Sequence, residues 1–223
     1  MDRPGKDNFA EGYLLKRSYK KYFLRAIQRN YPDAYPAIAA ETEKNYRSIS
    51  VDTQFSFHSA NPLDRRLDFC ACFLALIKKL DERNEPFDVI RNVSLEVVMD
   101  YVAPKNAIQR SLKRLPAKLI GTRLWNVLIK SLAVRLGKND NREGFIATII
   151  TAKKETYGLG YGVDIIECGV CKLFNKHAFG KYTSILCEVD KLTSEFAGLE
   201  LIRTSTIANG AAKCDFRYRK SAR

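Results

Sequence analysis

Apolar and polar positions in the first part of the chain recur at three- and four-residue steps, the spacing of helices with one buried face. Leu15, Tyr19, Tyr22 and Ala26 mark a helix over 9–29. Tyr31 to Pro36 interrupts it, because each proline pushes the preceding residue out of the helical region. A short helix follows over 37–46, and 51–61 carries no period and reads as loop or a short extended piece. Asn61 as N-cap and Pro62 at the first helical position open a stronger helix with the stripe Leu63, Leu67, Cys70, Leu74 and Ile77. Residues 86–101 form another, with Val89, Val93 and Val97 in step. Residues 107–137 read as one broken helix or two, interrupted near Pro116. In its first half Arg110, Lys113, Arg114 and Lys118 oppose Ile108, Leu112, Leu115 and Leu119; in its second half Trp125, Leu128, Leu132 and Leu136 make the buried stripe.

After 137–144 the period becomes that of extended chain. Residues 145–151 are β-branched and apolar on both faces, which predicts a central strand. Residues 157–163, with Gly158, Gly160 and Gly162 alternating, read as turn and strand entry, and 163–167 as a second strand. Helices follow over 171–176 and 182–196, the latter stopped by Ala197-Gly198. Strand-like runs 199–207 and 213–219 flank Asn209-Gly210, a pair that tolerates positive φ and favours a tight turn. On the last run Cys214, Phe216 and Tyr218 share one face, and Lys213, Asp215, Arg217 and Arg219 the other. The class is α+β: a helical part over 1–143 packs as one compact unit with a motif-bearing part over 144–223. The latter holds helices and a four-stranded antiparallel sheet near 145–152, 160–167, 199–207 and 212–219.

Charge and composition narrow the function. The chain carries a net charge of +13, but its basic residues interleave with acids, so weak rather than sequence-specific nucleic-acid binding is expected. The Arg110–Lys118 face reads as a solvated helix face. No apolar run reaches the length of about 18 residues that a membrane span needs. The polar start shows no apolar secretory segment, so a cytoplasmic location with reduced thiols is expected. With only His58 and His177, a histidine metal site or a Ser-His-Asp triad has little material, and no phosphate-cradling glycine loop occurs.

The cysteines carry more. Cys70 and Cys72 sit among apolar helix positions and read as core. Cys168 and Cys171 form C-x-x-C, and with Cys187 and Cys214 they make a set of four, suited to zinc or another metal or to nucleophilic chemistry. Cys187 and Asp190 lie three apart on one helix face. Arg203 is the neighbouring cation that a thiolate there would want. Cys187, Asp190, Arg203 and Cys214 are therefore expected to converge between the helix and the last hairpin.

Cys168-Gly-Val-Cys171, Leu186-Cys-Glu-Val-Asp190, Leu201-Ile-Arg-Thr204, Thr206-Ile-Ala-Asn-Gly210 and Cys214-Asp-Phe-Arg-Tyr218 together resemble the C-terminal signature of the L-2-amino-thiazoline-4-carboxylic acid hydrolase family, most strongly over 144–220. The resemblance implies opening of a small cyclic thiazoline or amidine carboxylate by water; no cofactor is fixed by it, and zinc or another metal is compatible. It implies Cys187 or Cys214 as nucleophile, Asp190 or Asp215 as proton carrier and Arg203 as carboxylate clamp. Strand alternation puts Asp215 on the face opposite Cys214. The layout is also similar to 4-vinyl-reductase-type domains. The alternative is a non-enzymatic sensory domain in which Cys168, Cys171, Cys187 and Cys214 hold a metal or line a small-molecule pocket. A homo-oligomer is compatible with either reading.

Overall fold

The computed structural model of the protein describes residues 17–120, 122–138, 141–157 and 161–221. Six helices come first: α1 (Arg17–Asn30), α2 (Tyr35–Ser50), α3 (Leu67–Glu82), α4 (Phe87–Val102), α5 (Ala107–Leu119) and α6 (Arg123–Leu136). Then follow β1 (Ile146–Ile150), β2 (Gly162–Glu167), α7 (Gly169–Lys176), α8 (Thr183–Phe196), β3 (Leu199–Ile202) and β4 (Cys214–Lys220). The expected part of the first helix before Arg17, with Leu15, lies outside the described residues.

The helix α3 is the centre of the molecule. Its run from Cys70 to Ile77 is buried on every side, as a helix that is apolar all round must be. It packs against α2, α4 and α7. Phe23 of α1, Tyr46 of α2, Val97 of α4, Phe174 of α7 and Ile185 of α8 complete one continuous core around it. A buried carboxylate in α3, Asp68, accepts hydrogen bonds from the Tyr19 and Tyr46 hydroxyls, the partners that burial of a polar group requires. Cys70 and Cys72 lie in this core, as expected.

The four strands form one antiparallel sheet in the order β1-β2-β4-β3. The expectation of a central β1 is overturned: β1 is an edge strand, covered by α6 on one side, and Thr148 is exposed. A run of β-branched residues fits any pleated half-buried surface and does not by itself mark the sheet centre. A second core gathers Ala147, Ile165, Leu201, Cys214 and Phe216 beneath the sheet, closed by Leu67 and Leu136.

Other boundaries shift for local reasons. Residues Val51–Phe57 form a 3-10 helix, not extended chain. The strong helix starts at Leu67 rather than Pro62: Asn61 Oδ1 accepts from the Leu63 amide, but the turn that follows, Asp64–Arg66, is 3-10. Asn61 Nδ2 donates to the carbonyls of Leu136 and Phe145, tying α6 to the start of β1. The break between α5 and α6 falls after Leu119, not at Pro116, and the Thr122 hydroxyl caps α6 by accepting from the Trp125 amide. In α5 the apolar Ile108 and Leu112 are exposed, at 73% and 61%, alongside Arg110 and Lys118, while Lys113 and Arg114 are half-buried. The expected solvated basic face holds for Arg110 and Lys118 and is corrected for the other two: Lys113 donates to the Val102 carbonyl, and the Arg114 stem lies over Gly198. Leu128, placed in the buried stripe of α6 by its spacing, is exposed as well.

The last hairpin is antiparallel, pairing Leu199 with Lys220 and Ile202 with Arg217. It lacks the tight Asn-Gly turn. Ile207–Asn209 is a 3-10 turn, and of the pair only Gly210 is left-handed, at φ +86°. The reason is Asp215, whose carboxylate accepts from the Thr204 and Ser205 amides and from both hydroxyls. These bonds hold residues 203–213 as an organised loop instead of ladder.

Candidate functional site

The helix α8 presents Cys187 and Asp190 on one face, and Gly198, left-handed at φ +78°, turns the chain directly into β3. Immediately after β3, Arg203 reaches back to α8. Its Nη1 lies 3.3 Å from Asp190 Oδ2, and its Nη2 donates to the Cys187 carbonyl at 2.8 Å. The guanidinium also stacks over the Phe216 ring at 4.9 Å. A second arginine, Arg66, approaches the other oxygen of Asp190 at 3.5 Å from the turn that precedes α3. Asp190 is thus held between two guanidiniums, one nearly buried and one, Arg66, 63% exposed.

The electrostatics of this cluster are set by burial first. Burial pushes the Asp190 carboxyl up from its ordinary value, although Arg66 and Arg203 pull it down. Burial likewise pushes the Cys187 thiol up to about 12, with Arg203 opposing and Asp190 reinforcing the shift. At neutral pH the thiolate fraction is therefore only on the order of one in 10⁵. Cys214 is buried beneath the sheet; burial raises its thiol, and the Ile207 amide donates to its sulfur at 3.2 Å. Cys168 is half-buried and within the electrostatic reach of Cys187, Cys214 and Cys70.

Beside Arg66 and Asp190 stand two stacked phenols, Tyr161 and Tyr218, with ring centroids 5.1 Å apart and Trp125 edge-on to Tyr161. Burial raises the Tyr161 hydroxyl to about 12 and Tyr218 further.

Of the residues singled out from sequence, Cys187, Asp190 and Arg203 come together, with Cys214 and Cys168 as neighbours. Cys171 lies against Cys168. Asp215 is turned into the 203–213 loop, where its oxygens are occupied, and it faces away from Cys214. Among the described residues no group of three or more His, Cys, Asp or Glu side chains is disposed to hold a metal ion. Sequence reasoning missed Arg66, Tyr161 and Tyr218. No local signal marks Arg66, which meets Asp190 only through the tertiary fold; Tyr218 was visible only as an apolar-face residue. An open groove of about 520 Å³ lies elsewhere, between α1 and α2, and offers no nucleophile.

The family model for L-2-amino-thiazoline-4-carboxylic acid hydrolase matches residues 65–218, which span Arg66 through Tyr218. No curated protein and no solved structure matches the chain. No helix among the described residues is long and apolar enough to cross a membrane.

Proposed function

The chain belongs to the L-2-amino-thiazoline-4-carboxylic acid hydrolase family, and on that premise we propose that it opens a small cyclic thiazoline or amidine carboxylate with water. The observation that carries this reading is Asp190, a carboxyl group with a raised affinity for protons, set between Arg66 and Arg203 beside Cys187. Arg66 is exposed enough to meet a substrate carboxylate, and Arg203 fixes Asp190 from the protein side. A guanidinium suits carboxylate recognition because it can donate two parallel hydrogen bonds. The stacked Tyr161 and Tyr218 offer an apolar wall for a flat five-membered ring.

In the proposed reaction Asp190 accepts a proton from water as its oxygen attacks the amidine carbon. The second water proton passes to the ring nitrogen as the carbonyl forms, the carbon–sulfur bond breaks, and Asp190 returns its proton to the departing sulfur. For a 2-amino-thiazoline carboxylate the product is N-carbamoyl-cysteine, and one water is consumed. A thiol raised to about 12 is a poor resting nucleophile, which favours Asp190 acid–base chemistry over covalent attack by Cys187. The buried Cys214 is disfavoured as nucleophile for the same reason.

Incubating the protein with L-2-amino-thiazoline-4-carboxylate and titrating the newly released thiol tests the reading. Asp190→Asn is expected to lower turnover by about 10²–10⁴-fold, the usual contribution of a positioned acid–base group. Cys187→Ser should keep most of it. Complete loss in Cys187→Ser with an intact fold would replace the water mechanism by a covalent one. Saturable binding of the compound without turnover in the wild type would instead mark a sensory module.

A further inference from the structure

The C-x-x-C pair has no part in the proposed water mechanism. Cys168 is the N-cap of α7, with φ −104° and ψ 109°, and Cys171 lies one turn further on. Their thiols lie against one another at the start of the helix, and both are free. The turn that joins them is tightly held. A Cβ added to Gly169 would meet the Glu143 carbonyl, Leu67 and Phe145, each at 3.1 Å. The backbone that carries the two cysteines is thus fixed by packing. A disulfide needs Cα atoms about 4.4–6.8 Å apart, a separation that suits residues three apart at a helix start. Exposure differs within the pair: Cys171 is 7% exposed, whereas Cys168 is half-buried.

We infer that Cys168 and Cys171 form a reversible dithiol–disulfide couple that exchanges with low-molecular-weight disulfides. Cys168 attacks the reagent disulfide as its thiolate and releases one thiol, leaving a mixed disulfide at Cys168. Cys171 then attacks the Cys168 sulfur and releases the second thiol. The pair loses two electrons and two protons, the reagent gains them, and one sulfur–sulfur bond replaces another.

The surroundings set how the couple behaves. Its contact with the Cys171 thiol, together with burial, holds the Cys168 thiol well above its ordinary value. Exchange is therefore slow at neutral pH and accelerates as pH rises. The reduced form gains nothing from a stabilised thiolate, so the disulfide resists reduction, unlike that of strongly oxidising pairs. Cys168 also lies within the electrostatic reach of Cys187. An effect of oxidation on turnover would rest on the hydrolase reading, whereas formation of the bond does not.

The test equilibrates the whole protein with graded ratios of reduced and oxidised glutathione, quenches in acid, alkylates and digests with trypsin. Both cysteines fall in the single peptide 155–172. The expected result is an unalkylated peptide lighter by two hydrogens, appearing along a two-electron transition as the ratio changes. In Cys171→Ser the same treatment should trap glutathione on Cys168. In Cys168→Ser, which alters the more exposed partner and guards against misfolding of the first variant, the light peptide should vanish. The inference is overturned if both thiols alkylate at every ratio. It is equally overturned if glutathione accumulates on Cys168 of the wild type, or if 155–172 becomes cross-linked to 182–191, the peptide that carries Cys187. All these readouts are masses, so they stand whether or not the protein turns over a thiazoline.

Discussion

Asp190 is flanked by two guanidiniums, and its carboxyl is nevertheless raised above the ordinary value because burial outweighs them. A carboxyl with a higher folded than unfolded pKa binds protons more readily in the native state. Its contribution to stability is therefore greatest at low pH and falls as pH rises through the folded value. At neutral pH the charge is a net burden, so Asp190→Asn should melt at a slightly higher temperature than the wild type while losing turnover. The two melting curves should converge below the ordinary carboxylate range; a lower melting temperature of the variant at neutral pH would contradict the assignment. Asp215 behaves oppositely. Burial alone would raise it, but hydrogen bonds from Thr204 and Ser205 hold it down at about 2. Its contribution is present above the unfolded value and disappears as pH falls through about 2. Asp215→Asn should accordingly cost about 2 kcal/mol at neutral pH, measured by denaturant titration, and close to nothing at pH 2. The pairing of Cys187 with Asp190 was legible in the sequence because helical spacing alone fixes it. Arg66 was not, because the fold brings it to Asp190 from a distant part of the chain.

At the scale of elements, the sheet was legible where side-chain alternation had a buried face to report. Its four strands, their antiparallel sense and the hairpin partners follow from Ile165, Leu201, Cys214 and Phe216 facing one core. The order of strands and the geometry of the last connection did not follow, since β1 reads as central by composition and Asn209-Gly210 reads as a tight turn. What decides both is polar chemistry at a distance. Arg217 of β4 is buried, and its Nη1 lies 2.7 Å from Asp164 of β2, to which Lys213 also donates. The arginine lies across Gly162, where a Cβ would come within 2.8 Å of both its Cδ and the Phe216 carbonyl. The side chain can shift, but a main-chain oxygen in a ladder cannot do so cheaply. Gly162→Ala should therefore destabilise the protein by about 1–3 kcal/mol, the range of overpacking changes. Its denaturant midpoint should fall with the slope unchanged. An unaltered midpoint would mean that β2 and β4 can separate freely at this point.

For the whole molecule, the net charge is less evenly spread than the composition implies. Between Asp100 and Asp140 the chain has no acidic residue, yet it carries Lys105, Arg110, Lys113, Arg114, Lys118, Arg123, Lys130, Arg135 and Lys138. These belong to the α5–α6 region, whose surface also exposes Ile108, Leu112, Val127 and Val134. Lys113 and Arg114 are drawn into packing, which leaves Lys105, Arg110, Lys118, Lys130, Arg135 and Lys138 exposed as separate charges rather than as a groove. Phosphate contacts of this kind release counterions and carry no base information, so binding to duplex DNA should be weak, indifferent to sequence and steeply dependent on salt. With about four phosphates neutralised, the logarithm of the binding constant should fall against the logarithm of salt concentration with a slope of about −3.6. Replacing Lys118 and Lys130 together by Glu should flatten that slope by roughly two phosphate contacts' worth, while thiazoline turnover stays unchanged because neither residue approaches Asp190. Fluorescence anisotropy over a salt series on two unrelated duplexes measures both quantities. A strong preference for one duplex at physiological salt would show that the exposed basic residues of α5 and α6 read base edges after all.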